Sequence, residues 1–198
     1  MLEQRIQQQF FDSADLKYAA AEILTKPIAD AANALIGCIT GGGKVLACGN
    51  GGSAADAQHF AAELVNRFES ERPPLAGLAL TTDSSNLTSI ANDYAWEQVF
   101  SKQVRALGRR GDLLLAISTS GNSKNVLEAL TAAHDLGVRV IALTGNGGGK
   151  MATQLKRDDV HICVPHQQTA RIQEVHLLVL HCLCDAVDLQ LLGEQDNA

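Results

Sequence analysis

His59 and Glu63 are the side chains best placed to do chemistry in this chain of 198 residues. They stand four apart in a helical pattern, so they share one face. Just before them lies the glycine-rich segment Gly49-Asn50-Gly51-Gly52, and before that the apolar run Lys44–Cys48, which reads as a buried strand. Ser53 is expected to cap the helix that carries His59. A glycine-rich turn at a helix N-terminus offers free backbone N–H groups to a phosphate or another anion. An anion cradle beside a His/Glu pair points to chemistry on a phosphorylated small molecule. Alone, such a pair reads more readily as a surface contact worth roughly a few tenths of a kcal/mol; its place just beyond the glycine loop turns the reading toward function.

A second polar loop, Ser118-Thr119-Ser120-Gly121-Asn122-Ser123, follows another apolar run. Its four hydroxyl side chains and one glycine suit an anion, and Ser123 is expected to cap the next helix. An ordinary polar turn would look the same if it stood alone, but two such loops on one sheet edge favour a ligand site. A third glycine segment, 145–149, follows the fourth run. Gly49-x-Gly51-x-x-Ala54 also fits the dinucleotide fingerprint formally. That fingerprint wants an acid about 20 residues on, at the end of the second strand. Here Asp83 comes about 30 residues after the loop, so a nicotinamide cofactor is disfavoured. Gln173 and His181 lie eight apart on the last helix, about 80° around its axis, and could line one broad face, although by spacing alone a satisfied core histidine is the commoner reading. Arg171, Glu174 and His176 share that helix, and spacing does not rank them. His134, His161 and His166 have no motif context and read as surface or structural.

The elements that must position these residues alternate along the chain. Short apolar runs at 44–48, 78–80, 113–118, 138–143 and 160–164 lack alternation, as do strands buried on both faces. Helical patterns at 53–68, 85–107 (with a break near Asn92-Asp93), 123–136, 147–156 and 169–191 lie between and after them. This βαβ order predicts an α/β fold, a three-layer αβα sandwich around a five-stranded parallel sheet. Ligands in such sheets bind at the carboxyl ends of the strands. Residues 2–24 and 27–40 read as two leading helices broken near Lys26-Pro27. The whole chain, 1–198, reads as one domain, with residues 1–41 available for oligomer contacts. The last helix is apolar nearly all round, which also favours a homo-oligomer.

Composition narrows the function classes. The net charge is −6 with a pI near 5.4, against broad nucleic-acid or membrane-surface binding. Any phosphate must be held by backbone, hydroxyls and a few placed charges. The five cysteines match no zinc motif and read as small thiols in a reducing cytoplasm. The first residues show no apolar signal region, and no apolar run is expected to span a bilayer.

Together the motifs resemble one family. Gly49-Asn-Gly-Gly-Ser-Ala-Ala-Asp-Ala-Gln-His59 with Glu63, Leu80-Thr-Thr-Asp-Ser, Ile90-Ala-Asn-Asp-Tyr94, Ser118-Thr-Ser-Gly-Asn-Ser123 and Arg171-Ile-Gln-Glu are similar to the sugar-isomerase (SIS) domain of bacterial phosphoheptose isomerases. The resemblance covers essentially the whole chain. It implies a flavodoxin-like topology and conversion of sedoheptulose 7-phosphate to glycero-manno-heptose 7-phosphate, toward the heptose of the lipopolysaccharide core. It further implies a cytoplasmic homotetramer with active sites between subunits and one zinc ion per subunit. By resemblance the zinc ligands are His59, Glu63, Gln173 and His181. The implied substrate contacts are Asn50, Gly51, Gly52, Ser53, Glu63, Asn92, Asp93, Ser118, Thr119, Ser120, Ser123 and Gln173.

Glu63 is the expected general base and His181 its acid–base partner in an enediol mechanism. Two features pull against the ligand set. A metal-bound Glu63 is a poorer base, and glutamine is an unusual zinc ligand. The chain also resembles the DnaA initiator-associating protein, an adaptor of the same fold, in stretches such as Arg67-Phe-Glu and Leu183-Cys-Asp. Such adaptors typically lack the acid at position 63 and the histidine at 181; this chain keeps both.

Overall fold

The computed structural model describes residues 1–193, so the end of the 1–198 domain reading lies outside the described residues. Five strands form one parallel sheet: β1 (Val45–Cys48), β2 (Gly77–Ala79), β3 (Leu113–Ser118), β4 (Arg139–Thr144) and β5 (Val160–Cys163). Their order is β2-β1-β3-β4-β5, the flavodoxin-like arrangement. The chain winds outward from β1 in both directions, so the topological switch point lies between β1 and β3. In register, Ala47 lies beside Leu115 and Cys48 beside Ala116. The loops leaving these two strands therefore emerge side by side.

The central strands are apolar throughout because both faces are covered. Val45, Ala47, Leu113, Leu115 and Ile117 point to one layer, whereas Leu46, Cys48, Leu114 and Ala116 point to the other. The first layer holds α1 (Leu2–Thr40), α2 (Gly52–Val65) and α7 (Thr169–Leu192). The second holds α4 (Ser101–Leu107), α5 (Lys124–Leu136) and α6 (Gly149–Gln154). Leu87, Ile90 and Ala91 of α3 (Ser84–Asp93) pack at the margin of that second core.

Three expectations change. Residues 2–40 form one helix, with Pro27 inside it, rather than two. Leu16, Ala20 and Leu24 before the proline and Ala31, Ala32 and Leu35 after it all enter the same core. That packing on both sides outweighs the lost backbone hydrogen bond, a cost of about 3 kcal/mol in an isolated helix. Second, the 85–107 pattern divides into α3, a short 3₁₀ turn at Trp96–Gln98, and α4, the break falling just after Asp93. Third, α7 is long and apolar enough to cross a bilayer by length and composition, contrary to the sequence reading. Instead it packs in the core through Ile172, Val175, Val179, Leu180, Leu183 and Val187, and Arg171, His176 and Asp188 are buried with them.

Candidate active site

The first loop runs from β1 into α2. Gly51, at φ +56°, takes the N-cap position expected for Ser53, and Ser53 falls inside the first turn, almost fully buried. No side chain caps α2; the Ala54 and Ala55 N–H groups donate to the Gly51 carbonyl, which leaves those of Gly52 and Ser53 at the loop end. Gly52 lets Gln173 of α7 approach closely: a Cβ there would stand 2.5 Å from its Nε2, so the glutamine amide would have to shift. Asn50 and Asn125 exchange side-chain amide hydrogen bonds of 2.9 and 2.8 Å. Asn125 belongs to the first turn of α5, so this pair ties the first loop to the second.

The second loop is shaped by its hydroxyls and by its neighbour. Ser123 occupies the N-cap of α5, but its hydroxyl pairs with Ser118 Oγ at 2.9 Å instead of capping the helix. Ser120 Oγ accepts from the Asn122 backbone at 3.2 Å. Thr119 carbonyl accepts from Gly145 N at 3.1 Å. Gly121, at φ +64°, sits so close to the third glycine segment that a Cβ would lie 1.9 Å from the Gly148 carbonyl oxygen. Met151 N donates to Gly121 O and Lys150 N to Asn122 Oδ1. The 145–149 segment thus buttresses the serine loop.

Across the first layer, α2 and α7 run parallel, because each follows a strand of a parallel sheet. Gly52 meets Gln173 and, further along, His59 meets His181. His59 Nε2 lies 3.0 Å from Glu63 Oε1 and 3.2 Å from His181 Nε2. The two imidazole centroids are 5.2 Å apart, and Phe68 packs at 5.5 Å against the His181 ring. One turn before His59, burial raises the pKa of the Asp56 carboxyl, with His59 opposing the shift, and its Oδ2 has no partner.

The structure therefore joins His59, Glu63 and His181 directly, sets Gln173 over the glycine loop, and places the Asn50 and Ser118–Ser123 loops side by side. Asn92 and Asp93 stand exposed at the end of α3, their side chains bonded to each other at 2.8 Å. Among the described residues neither side chain is hydrogen-bonded to the other candidates. Asp56 and Asn125 escaped sequence reasoning. Asp56 precedes His59 by three on the same face, a signal that was legible; the Asn125 contact spans 75 positions and was not.

Two imidazoles and a carboxylate are ligands that zinc favours, and ligands about 2.0–2.1 Å from a tetrahedral ion stand roughly 3.3 Å apart. The donor set and the His59–His181 spacing fit such an ion. The side chains form a string, with His59 in the middle, and among the described residues no three His, Cys, Asp or Glu side chains group around one point.

Three other histidines make contacts within the fold. His176 is fully buried, its Nε2 3.0 Å from the Thr144 carbonyl, and burial pushes its pKa down to about 4. His134 pairs with Asp159 at 2.7 Å, and His161 with Thr144 Oγ1 at 2.8 Å. All five cysteines are free.

A doubly wound sheet whose switch-point loops carry glycine and serine N–H and hydroxyl donors, beside an imidazole–carboxylate string, is the architecture of a SIS domain, and the SIS domain model matches residues 9–145. The chain belongs to the phosphoheptose isomerase family within that class. It is 69% identical over 196 residues to the phosphoheptose isomerase of Methylibium petroleiphilum, covering 99% of this chain and 98% of that one. Among solved structures, the phosphoheptose isomerase of Neisseria gonorrhoeae superposes with a TM-score of 0.91 at 55% identity, over 95% of this chain and 99% of that one. A phosphoheptose isomerase from Francisella tularensis gives 0.92 at 47% identity, over 95% and 98%.

Proposed function

We propose that the protein is a ketose–aldose isomerase converting D-sedoheptulose 7-phosphate to D-glycero-D-manno-heptose 7-phosphate through an enediol. One observation carries this reading: α2 and α7 bring a carboxylate and two imidazoles together beside two adjoining anion-binding loops. The family membership fixes the class of substrate that the site is read against.

Isomerisation removes a proton from C1 of the ketose and returns one to C2. Glu63 is assigned the carbon proton and His181 the protons of the neighbouring oxygens. The Ser118–Ser123 loop is assigned the 7-phosphate, with Thr119, Ser120 and the Lys124 and Asn125 N–H groups at the start of α5 as donors. Asn50, Gly51, Gly52 and Ser53 hold the sugar end from the first loop, and Gln173 closes over Gly52. Asn92 and Asp93, exposed at the end of α3, are assigned sugar contacts by family resemblance. Fixing both ends of the substrate presents C1 and C2 to Glu63 and lowers the entropic part of the barrier. Zinc, when bound by His59, Glu63, Gln173 and His181, would polarise the carbonyl.

The working form is assigned as a cytoplasmic homotetramer with its sites at subunit contacts. Phe10, Phe11 and Tyr18 of α1 and Leu178 and Leu189 of α7 are exposed apolar side chains open to subunit contacts. Analytical ultracentrifugation tests the tetramer. The replication-initiator adaptor is not favoured: such a role needs neither Glu63 nor His181.

The test of the reading is NMR observation of sedoheptulose 7-phosphate with the purified protein, with added zinc and with chelator. Appearance of the aldoheptose phosphate is expected, and its loss in chelator makes the metal essential. A folded protein inactive in both conditions overturns the isomerase.

A further inference from the structure

Arg72, outside every motif above, is the one arginine whose side chain is completely buried among the ion pairs of the described residues. Its guanidinium holds three pieces of structure at once. Nε donates to Asp188 Oδ1 on α7 at 2.6 Å. Nη2 donates to the Glu63 carbonyl at 2.7 Å, and Nη1 to the Leu64 and Pro73 carbonyls at 2.9 and 3.3 Å. Glu63 and Leu64 lie in the last turn of α2, where carbonyls lack helical partners and a cation is favoured. The backbone of the expected base is thus hydrogen-bonded directly to this buried cation.

The pairing of the two helices gives this contact its significance. Gly52 lies against Gln173, a sequence offset of 121 (173 − 52), and His59 against His181, an offset of 122 (181 − 59). Arg72 adds a third tie further along, between Glu63–Leu64 and Asp188. The first two contacts are made by the site residues themselves, of which His59 is 41% exposed. Close packing between α2 and α7 limits how far one helix slides along the other, and buried directional bonds sharpen that limit. Three such bonds leave the planar, fully charged Arg72 guanidinium, one to Asp188 on α7 and two to the last turn of α2. A slip of one residue moves a helix by about 1.5 Å, enough to break the 3.2 Å His59–His181 contact.

We propose that the Arg72–Asp188 clamp is a positioning device that sets the axial register of α2 on α7, and so holds Glu63 and His181 in their working relation. The proposal rests on the isomerase reading. Neither residue touches substrate; both act through Glu63.

The experiment compares wild type with Asp188→Asn, Arg72→Lys and the double variant Arg72→Met/Asp188→Leu. The double variant replaces the ion pair with apolar groups, a change that commonly preserves stability, so it separates folding from positioning. Assays use sedoheptulose 7-phosphate with protium or deuterium at C1, well below each melting temperature. The expected result is kcat lowered by about 10- to 100-fold with KM within threefold, as for a displacement of about 1 Å. The deuterium isotope effect on kcat should rise, because proton removal becomes the slower step. A kcat within twofold of wild type, or a fall in kcat with an unchanged isotope effect, overturns the clamp; the latter reports only fewer competent molecules. If wild type itself fails to turn over, the isomerase reading falls, and the ring NMR signals of His59 and His181 decide. Shifted signals in the double variant, with those of His134 unmoved, sustain the clamp; unshifted ones overturn it.

Discussion

Replacing Asn125 by alanine tests whether the two anion loops work as one unit. Asn125 is 3% exposed and exchanges two amide hydrogen bonds with Asn50, at 2.9 and 2.8 Å. Each is worth about 1 kcal/mol net, so the variant loses about 2 kcal/mol of preference for the observed arrangement of the glycine loop. That corresponds to about a 30-fold change in an equilibrium constant. If substrate needs the loop in this arrangement, binding must restore it, and the cost appears in KM. The expected outcome is a KM for sedoheptulose 7-phosphate raised by up to about 30-fold. kcat should change much less, since Glu63 and His181 lie on other elements. Initial rates over a wide substrate range measure both, and urea unfolding at fixed protein concentration measures the stability loss. A variant destabilised by the expected amount whose KM stays within twofold of wild type would refute the idea that the bridge organises the loop for ligand.

Glu63→Gln should remove turnover while leaving the oligomer intact, as read by NMR assay and ultracentrifugation; near-normal rates would exclude Glu63 as base. Ser120→Ala should mainly raise KM, and an unchanged KM would move the phosphate away from the serine loop. His176 supplies a pH dependence. Its pKa is near 6.5 free and about 4 when buried, so the unfolded chain binds more protons between these values. Its stabilising contribution is complete above pH 6.5 and is lost progressively as pH falls toward 4. From pH 7.5 to pH 5 the loss is about 2 kcal/mol. Urea unfolding at the two pH values should show it in wild type and not in His176→Gln; equal losses in both would remove His176 as the cause.

The loops and the helix carrying His59 and Glu63 were legible in the sequence because their causes are local. Strand, glycine turn and helix follow one another within about 20 residues, and i, i+4 spacing fixes a shared face whatever the rest of the chain does. The three central strands were legible too, since cover on both faces leaves runs without alternation; at the sheet edges the reading failed, because β2 exposes Leu78 and β5 alternates. Local signals failed where tertiary packing overruled them. Pro27 suggested a break, yet the helix continues because the core grips it on both sides. Ser53 looked like a cap, yet Gly51, with its positive φ, takes that position.

What the sequence determined by itself was the inventory: a parallel α/β sheet, two anion-friendly loops at its carboxyl edge, and the side chains able to do acid–base work. Which of those side chains meet was decided only by the tertiary structure. His59 reaches His181 across 122 positions, Asn50 reaches Asn125 across 75, and Arg72 reaches Asp188 across 116. Periodicity reports which way a residue points on its own element. It carries no information about how far one element slides along another, because that depends on core shape and on a few buried directional bonds. The register of α2 on α7, and with it the meeting of Glu63, His59 and His181, is a property of the folded chain alone.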